Sequence, residues 1–344
     1  MEKALIKTKA FSILINDIFG GIFMDVIGID NLVMDFLVQI KSLPTSNKSC
    51  PYEQASWQGG GNVASAMAAS ARLGASVGMI GMTGDDQYGR FNINDFKLHG
   101  IDVSHIAIDK EAPTGFCICL AETSTKMRSF IFSQSGCRSL RADEIDRDYI
   151  ASARYIHVGR LDSTAIEAAR IAKEFGVQVS IDAGGFDQKV EDNIKLFDIF
   201  IASEFYHDAL FDNKNYKENC AKILAKGPKI AVVTLGERGC VGMQDGHYFE
   251  LPAFDVPIID TTGAGDVFHG AFIYGLTQGW DAEKSSRFSS AVSAIKCTRL
   301  GGRAAIPDGT MVDRFLKDGY IDYAKIDERV RLYENGLENL GGKI

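Results

Sequence analysis

The arrangement that most restricts the fold of this chain is an alternation of short β-branched runs with helix-length segments between residues 153 and 235. The runs are RYIHVG, VQVSID, DIFIAS and KIAVVTLG, and helical spacing lies between them over Ser163 to Phe175 and Tyr216 to Lys226. Strands that are connected through helices pair in parallel, in a sheet that helices cover on both faces. MDVIGI, NVASAMAASARLGA and SVGMIGMTG repeat this order earlier in the chain. The sequence therefore predicts an α/β fold.

Two stretches, at about 36–58 and 112–135, contain strand-like runs without a helix between them. In the second, TGFCICLAE and MRSFIFSQ are joined by the polar turn Thr123 to Lys126, which is typical of a β-ribbon. We expect the two ribbons to form a small β-sheet lid over one edge of the main sheet. The predicted organisation is an N-terminal extension at 1–21, the α/β domain with its discontinuous lid at 22–320, and a solvated helical appendage at 321–344.

Charge, hydropathy and cysteine spacing argue against several classes of protein. The formal net charge is -8 and no dense Lys/Arg run occurs, which disfavours a nucleic-acid-binding protein. No window reaches the run of about 18 apolar residues that a membrane helix needs. The seven cysteines form neither CxxC pairs nor zinc-like clusters, so we expect reduced thiols in a cytoplasmic protein. The chain lacks both a P-loop GxxxxGK(S/T) motif and the GxGxxG fingerprint of a dinucleotide-binding oxidoreductase.

The stretch DTTGAGDVFHGAF, residues 260–272, places a glycine-rich turn directly before a helix-like apolar run. The first N–H groups of a helix have no partner within it and lie at the positive end of its dipole, and glycine lets a bulky anion approach them. Gly263, Ala264 and Gly265 are therefore suited to form an anion hole for phosphate oxygens. Asp266 would compete with an anion for the same N–H groups, so its position is better explained by a general base.

A general base at this point would accept a hydrogen bond from a substrate hydroxyl and take its proton as the oxygen attacks a phosphoryl group. An aspartate with the ordinary pKa of about 3.9 is a weak base for an alcohol, so we expect late proton transfer and a large contribution from orientation. The residues alone leave a second interpretation open, in which Asp266 only stabilises the start of a helix.

DTTGAGDVFHGAF resembles the C-terminal signature of the PfkB or ribokinase family of carbohydrate kinases, and four further segments agree with the family in the right order. They are the strand VIGIDNLVMD ending in Asp35, GGNVASAMAASARLGA from Gly60 to Ala75, VVTLGERGC at 232–240 and KCTRLGGRAAIP at 296–307. The resemblance runs from about Met24 to Phe315. It implies a three-layer α/β/α ribokinase-like sandwich, with a β lid that often forms a homodimer interface.

The resemblance also implies an activity and a site. The family transfers the γ-phosphoryl group of ATP, with Mg²⁺, to a small sugar, and Asp266 would be the base beside the phosphate held at Gly263 to Gly265. The residues expected to face the sugar are Asn31, Asp35, Gly60, Gly61 and Ser65. Those expected to line the nucleotide are Ser203, Thr234, Gly236, Gly239 and Thr262.

The sequence departs from the family at the motif that supports magnesium. An asparagine-x-x-glutamate pattern is common there, whereas ASEFYHDA has Ser203 and Tyr206 at the two positions. Glu204 or Asp208 could supply the carboxylate, or both could be ordinary helix-start acids. Ser65 also stands where many members carry asparagine. An alternative therefore stays open, a catalytically impaired ribokinase-like protein that binds sugar or nucleotide for regulation.

Many members of the family hold a monovalent cation such as K⁺ beside the anion hole, with an aspartate and backbone carbonyls as ligands. The residues at those positions are Asp260, Thr262, Lys296, Arg299 and Gly301. Asp260 is the candidate side-chain ligand, whereas backbone carbonyl ligands cannot be recognised from residue types.

IIDTTGAGDVFHGAF and IKCTRLGGRAAIPD are similar to the branch of the family that phosphorylates 6-deoxy-6-sulfofructose. This resemblance implies a ketohexose substrate, such as fructose or the sulfonated sugar, and cationic side chains for a sulfonate. Lys48 and Arg160 are the candidates, because arginine in particular makes paired charge-assisted hydrogen bonds, although each also fits an ordinary surface charge. His157 and His269 lie in apolar contexts without ligand-like neighbours, and we expect each to be a core histidine or one that contacts site residues from behind.

Overall fold

The computed structural model describes residues 23–125, 127–133 and 136–342. The predicted extension at 1–21 and Lys126 of the predicted lid turn lie outside the described residues. Within the described part, the chain forms thirteen strands and twelve α-helices.

The strands are β1 (Met24–Ile29), β2 (Val33–Ile40), β3 (Tyr52–Gly60), β4 (Val77–Gly84), β5 (Asp102–Asp109), β6 (Gly115–Glu122), β7 (Met127–Phe132), β8 (Ala153–Val158), β9 (Gln178–Ala183), β10 (Ile199–Ser203), β11 (Ile230–Thr234), β12 (Cys240–Gln244) and β13 (His247–Leu251). The helices are α1 (Asn62–Leu73), α2 (Gln87–Leu98), α3 (Arg147–Ala151), α4 (Ser163–Glu174), α5 (Gln188–Asp192), α6 (Glu204–Leu210), α7 (Tyr216–Leu224), α8 (Ala264–Thr277), α9 (Ala282–Lys296), α10 (Gly309–Asp318), α11 (Tyr323–Glu334) and α12 (Gly336–Leu340).

Nine strands form the main sheet, in the order β13-β12-β11-β10-β9-β8-β1-β4-β5. The strands from β11 to β5 are parallel, and β12 and β13 add an antiparallel edge. Val26 on β1 lies between Tyr155 of β8 and Val77 of β4. The chain builds the sheet first on one side of β1 and later on the other, so the carboxyl end of β1 adjoins a topological switch point, where α/β folds bind ligands.

Helices cover both faces of this sheet. Phe200 and Ile201 are neighbours on β10, yet they belong to opposite hydrophobic cores, as alternating strand side chains require. One core contains apolar residues of α1, α2, α8 and α9, and the other contains those of α4 and α7. The predicted three-layer α/β/α sandwich is confirmed.

The lid is a separate four-stranded sheet in the order β3-β2-β6-β7. β2 pairs antiparallel with β3 and parallel with β6, and β6 pairs antiparallel with β7. Val33 begins β2 three residues earlier than predicted and lies beside Gly60 and Gly115. Ile40 ends β2 at the opposite end of the lid, where the exposed loop 41–51 begins.

The C-terminal helix α11 is packed into the molecule along one face. Ile326, Val330 and Tyr333 are buried, and the Tyr333 hydroxyl donates a hydrogen bond to Asp95 Oδ1 at 2.5 Å. The prediction of a solvated appendage is therefore wrong for this face. The three buried positions follow an i, i+4, i+7 spacing that the many charges of the helix obscure in the sequence.

FDVPIID, which precedes the glycine-rich turn and has a strand-like composition, forms no strand in the structure. Pro257 within it has no N–H to donate to a ladder. The N–H groups of Ile259 and Asp260 donate instead to the Cys297 carbonyl, at 2.9 and 3.2 Å. This segment is therefore joined to the end of α9 rather than to the sheet.

In the described part of the chain, Cys50, Cys117, Cys119, Cys220, Cys240 and Cys297 are free thiols. Among the described residues, no helix combines the length and the apolar character that crossing a membrane would require.

Candidate active site

Charged side chains gather at the carboxyl ends of β1, β8 and β9, beside the switch point. Asp30 follows β1, Arg160 lies just beyond β8, and Asp182 lies near the end of β9. Burial raises the pKa of Asp30 to about 7, while the Arg160 charge opposes this shift and Asp182 adds to it. The charges of Arg160 and Asp182 therefore both act on Asp30 at this edge of the sheet, and we call the region around it the cleft. Asp30 is not among the predicted site residues, although its position directly after a buried strand is a signal for it.

Asp182 is held in a buried polar network. Its Oδ1 lies 3.2 Å from His269 Nε2, and its Oδ2 accepts a hydrogen bond from Asn62 Nδ2 at 2.8 Å. Burial alone would raise the pKa of Asp182, but His269 and Asn62 lower it below its usual range. The prediction that His269 lacks ligand-like neighbours is wrong, because a distant strand supplies its partner. His157 fits a core histidine, since burial and the His269 charge lower its pKa to about 3.

The glycine-rich turn has a backbone that only glycine accommodates well. Gly263 precedes α8 with φ 75°, in the left-handed region, and a Cβ there would lie 2.7 Å from Gly302 Cα. A Cβ on Gly265 would meet nothing within 4 Å, so the start of α8 is open beside it. The Ala264 N–H donates to the Thr261 carbonyl at 3.1 Å, which leaves Gly265 as the better placed donor for an anion.

Asp266 lies half-buried in the first turn of α8. Burial raises its pKa to about 6, the Asp182 charge adds to this increase, and His269 and Lys296 oppose it. A carboxylate with a pKa near 6 is a stronger base than the ordinary aspartate expected from the sequence. This environment favours the general base over a carboxylate that only stabilises a helix.

Asp35 on β2 brings the lid to the same cleft. Burial raises its pKa to about 7, with Arg303 opposing the shift and the Asp266 charge adding to it. A Cβ on Gly60 would lie 2.1 Å from Asp35 Oδ1, so glycine at this position leaves room for the carboxylate. Gly61, with φ 87°, directly precedes α1. Gly60 and Gly61 are called the first glycine turn, and Gly263 to Gly265 the second. The predicted sugar-facing residues Asp35, Gly60 and Gly61 thus lie together, within reach of the Asp266 charge.

Arg303 holds this first glycine turn, and sequence reasoning missed its role. The side chain is fully buried, with Nη1 donating to Asp95 Oδ2 at 2.7 Å and Nη2 donating to the Gly60 carbonyl at 2.8 Å. Its backbone N–H also donates to Gln58 Oε1 at 2.7 Å. The basic run KCTRLGGRA offers no local signal that one of its arginines is internal.

Lys296 and Asp260 hold the second glycine turn. Asp260 Oδ1 accepts hydrogen bonds from the Thr262 N–H and hydroxyl at 2.9 and 2.8 Å, and Oδ2 accepts one from the Gly301 N–H at 2.8 Å. Lys296 Nζ donates to the Asp260 carbonyl at 2.9 Å and to the Thr262 carbonyl. Arg299 turns away from this cluster and pairs with Asp327 at 2.6 Å.

The residues predicted to line the nucleotide lie at the carboxyl ends of β10 and β11. Ser203 and Thr234 are register partners on the two strands. Gly236, with φ 61°, has open space beside it, whereas a Cβ on Gly239 would lie 2.0 Å from the Leu251 carbonyl oxygen. Thr262 lies apart from them along the chain, in the second glycine turn. The strand pairing thus brings Ser203 beside Thr234 and the turn that contains Gly236.

The segment that replaces the magnesium-supporting motif is fully engaged in internal contacts. Ser203 caps α6 and donates to the Gly184 carbonyl at 2.6 Å, and the buried Tyr206 donates to Glu191 Oε1 at 2.7 Å. The Glu204 carboxylate is bound by Lys214 at 2.7 Å and by Arg238. Hydrogen bonds from these two cations lower the pKa of Glu204 to about 2. Glu204 as a metal ligand stays a prediction, with two cations already on its carboxylate.

Of the remaining predicted residues, Asn31 and Ser65 lie beside residues of the site, and Lys48 lies in an exposed loop. Asn31 follows Asp30 and donates through Nδ2 to the Arg138 carbonyl at 3.2 Å, while Ser65 is buried on α1 close to Gly302. Lys48 lies in the exposed loop beyond Ile40, at the end of the lid away from Gly60. At about 3.3 Å per strand residue, this loop begins more than about 15 Å from Asp35. Lys48 as a sulfonate-binding residue stays a prediction.

Known proteins match this chain along most of its length. A family model described as pfkB family carbohydrate kinase matches residues 25–309. A 5-dehydro-2-deoxygluconokinase of Clostridium perfringens is 29% identical over 297 residues, which cover 78% of this chain and 87% of the relative. A probable fructokinase-3 of Arabidopsis thaliana is 29% identical over 286 residues, which cover 75% and 83%.

A putative ribokinase II from E. coli, in complex with ATP and Mg²⁺, superposes with a TM-score of 0.75 at 22% identity, over 86% of this chain and 99% of the other. This likeness concerns the fold, and it identifies the three-layer sandwich with its small second sheet as ribokinase-like.

Proposed function

The chain belongs to the pfkB family of carbohydrate kinases, and we propose that it transfers the γ-phosphoryl group of ATP to a hydroxyl of a small keto sugar. The observation that carries this proposal is the position of Asp266. The carboxylate has a raised pKa, lies beside the open glycine turn and acts on the charge of Asp35 across the cleft.

In this mechanism, Asp266 accepts a hydrogen bond from the substrate hydroxyl and removes its proton as the oxygen attacks the γ-phosphorus. A new O–P bond forms, the bond between the γ-phosphorus and the bridging oxygen breaks, and ADP leaves. The Gly263 to Gly265 turn holds the transferring phosphoryl group, with the Gly265 N–H as its main donor. Lys296 keeps positive charge near this region.

The sugar is placed against Asp35, Asn31, Gly60, Gly61 and Ser65, where carboxylate and amide groups can bind hydroxyls. Two of the relatives are named for kinases of fructose and of 5-dehydro-2-deoxygluconate, and these names are the reason to test keto sugars first. Arg160, whose charge reaches Asp30 at the cleft, is the candidate for a terminal sulfonate or carboxylate. Fructose and 6-deoxy-6-sulfofructose are therefore the first sugars to compare.

The nucleotide is placed along Ser203, Thr234, Gly236, Gly239 and Thr262, with Mg²⁺ on its phosphates, since phosphoryl transfer needs charge neutralisation there. Glu204 and Asp208, the acids of the fully described segment 203–208, are both paired with Lys214. This donor set fits an incoming metal poorly. We therefore expect Mg²⁺ to arrive with ATP and to be held chiefly by phosphate oxygens, and not by Glu204 or Asp208.

A homodimer through the lid is part of the proposal. β7 is an edge strand whose apolar side chains are exposed, as is Tyr52 at the start of β3, the other edge. Such residues on an edge strand are typical of an interface. Sedimentation should give a dimer, and Phe132→Asp, at a side chain that is 71% exposed, should shift it toward the monomer. A wild-type monomer at micromolar concentration would contradict this part.

ADP release from Mg-ATP tests the activity across fructose, fructose 6-phosphate, 6-deoxy-6-sulfofructose, 5-dehydro-2-deoxygluconate and ribose. We expect rapid turnover of one keto sugar, with an acidic sugar preferred if Arg160 binds its terminal anion. Arg160→Ala should then raise KM for the acidic sugar and leave neutral fructose unchanged. ATP binding without turnover of any of these sugars would favour the regulatory alternative, for which the altered segment at 203–206 is the motivating observation.

A further inference from the structure

The carbonyl oxygens of Asp260 and Thr262, expected from the family pattern to bind K⁺, already hold a cation that belongs to the chain. Lys296 Nζ donates to both oxygens, and the distance to the Asp260 carbonyl is 2.9 Å. This is an ordinary N–H···O length. The lysine side chain is fully buried, so its ammonium group contacts these carbonyls and not solvent.

Helix α9 fixes the ammonium in place. Lys296 is the last residue of α9, and Ser293, one turn earlier, donates to the Ala264 carbonyl at 2.8 Å. The Cys297 carbonyl, directly after the helix, accepts the N–H groups of Ile259 and Asp260. The end of α9 therefore contacts the chain before the glycines, at Ile259 and Asp260, and between them, at Ala264. The helix that carries the ammonium is thus hydrogen-bonded to the turn it acts on.

A K⁺ ion does not fit the same place. An ammonium is a compact charge with three N–H donors, and here it contacts the two carbonyls that would ligate the ion. An ion in contact with both oxygens would occupy the volume of Nζ, and it would bring a second positive charge into a buried site. The Asp260 carboxylate, the negative charge beside these carbonyls, already accepts hydrogen bonds from Thr262 and Gly301.

We propose that the Lys296 ammonium replaces the monovalent cation of the site, as a positioning residue that holds the Thr262 to Gly265 turn in its phosphate-binding form without K⁺. The catalytic consequence rests on the proposed kinase function, whereas the replacement of the ion does not. Lys296 also lowers the pKa of Asp266, which shows that its charge reaches the base.

The wild-type enzyme provides the first test. Its turnover in Tris buffer free of alkali metals should lie within about twofold of that in KCl or NaCl at matched ionic strength. Its thermal midpoint should also be equal in KCl and NaCl. Activation by K⁺ of more than about tenfold, or a K⁺-specific rise in the midpoint, would overturn the proposal.

Two substitutions separate charge from volume. Lys296→Ala vacates the position, so turnover should fall about 100-fold without alkali metal and recover at least about tenfold with KCl or NH₄Cl but not with LiCl. Lys296→Met fills the space without charge and should stay slow in every salt. Lys317→Ala, at an exposed lysine in the last turn of α10, is the control and should match the wild type.

The thermal midpoint of Lys296→Ala should rise specifically in KCl or NH₄Cl, a readout that requires no sugar. If no sugar is turned over but this cation-specific rise is present, the proposed function fails and the ion replacement stands. A folded Lys296→Ala protein that no cation activates or stabilises would overturn the ion replacement, even if the enzyme proves to be a kinase. If the variant does not fold in any salt, the wild-type comparison between KCl and NaCl decides the proposal.

Discussion

The two glycine turns of the cleft are built alike but held differently. Each adjoins a carboxylate of raised pKa, Asp35 at the first turn and Asp266 at the second, and each has a buried cation on its backbone carbonyls. Arg303 at the first turn also makes a buried ion pair with Asp95, as a planar fork can. Lys296 at the second turn contacts two carbonyls, as suits a point charge.

This difference separates two tasks. The ion pair of Arg303 ties the first turn to α2 and, through the hydrogen bond between Tyr333 and Asp95, to the C-terminal helix. The first turn is therefore an anchor on which a sugar is placed. The charge of Lys296 is not paired in this way and acts on the region where a phosphoryl group would be transferred. We expect substitutions at the first turn to change stability and sugar binding, and those at the second to change turnover.

The largest expected effect is on turnover at the second turn. Asp266→Asn removes the base but keeps its size, so kcat should fall about 1,000-fold while KM for sugar and ATP affinity change only a few-fold. Steady-state kinetics with the best sugar and calorimetry with ATP would measure this. Asp313→Asn, at an exposed aspartate of α10, is the control. Retention of more than about a tenth of the rate would contradict the assignment.

The next effect is on stability at the first turn. Arg303→Met removes one partner of a buried ion pair and leaves the Asp95 carboxylate with His99 and the Tyr333 hydroxyl beside it, so the free energy of unfolding should fall by about 3 kcal/mol. Urea denaturation would measure the change, with the exposed Arg331→Met as the control. An Arg303→Met protein as stable as the wild type would show that the first turn does not depend on this anchor.

Asp35→Asn should weaken sugar binding without an equal loss of turnover. A hydrogen bond to a charged group contributes about 1.5–3 kcal/mol, which corresponds to a rise in KM of about 10- to 100-fold. Steady-state kinetics of Asp35→Asn and Asp266→Asn would test the two roles. The first variant should change mainly KM for the sugar, and the second mainly kcat. Loss of kcat at an unchanged KM would place Asp35 with the catalytic group instead.

The smallest effect concerns pH. The base acts as a carboxylate, and burial with the nearby Asp182 charge raises the pKa of Asp266 to about 6. The rate constant kcat/KM should therefore fall as pH decreases below about 6, by about tenfold per unit. Measurement in the Asp35→Asn and Asp30→Asn backgrounds removes from the profile the two other carboxylates whose pKa is raised by burial. A rate that stays constant down to pH 5 would argue against the raised pKa.

Much of the fold could be predicted, because its signals are local. The strands and helices between 153 and 235 and the glycine turn before α8, with Asp266 in the first turn of that helix, follow from short-range patterns. Asp35 was expected only from the family resemblance, and the roles of both aspartates stay predictions.

The solvated C-terminal helix was a wrong prediction, because Ile326, Val330 and Tyr333 form a narrow buried stripe among many charges. FDVPIID has a strand-like composition but forms no strand, because Pro257 has no N–H to donate.

The sequence by itself determined the α/β alternation, the glycine turns and the chemical groups beside them, because these depend on residues that are neighbours along the chain. Only the tertiary structure decided which charges meet. Lys296 reaches Asp260 across 36 residues, and Arg303 reaches Asp95 across 208. The pKa values of Asp266, Asp35 and Asp182 likewise depend on burial and on partners from other elements. The sequence does not show which charge a given side chain will pair with, because residues far apart along the chain become neighbours only on folding. Their interaction becomes strong only then, in the low dielectric of the interior.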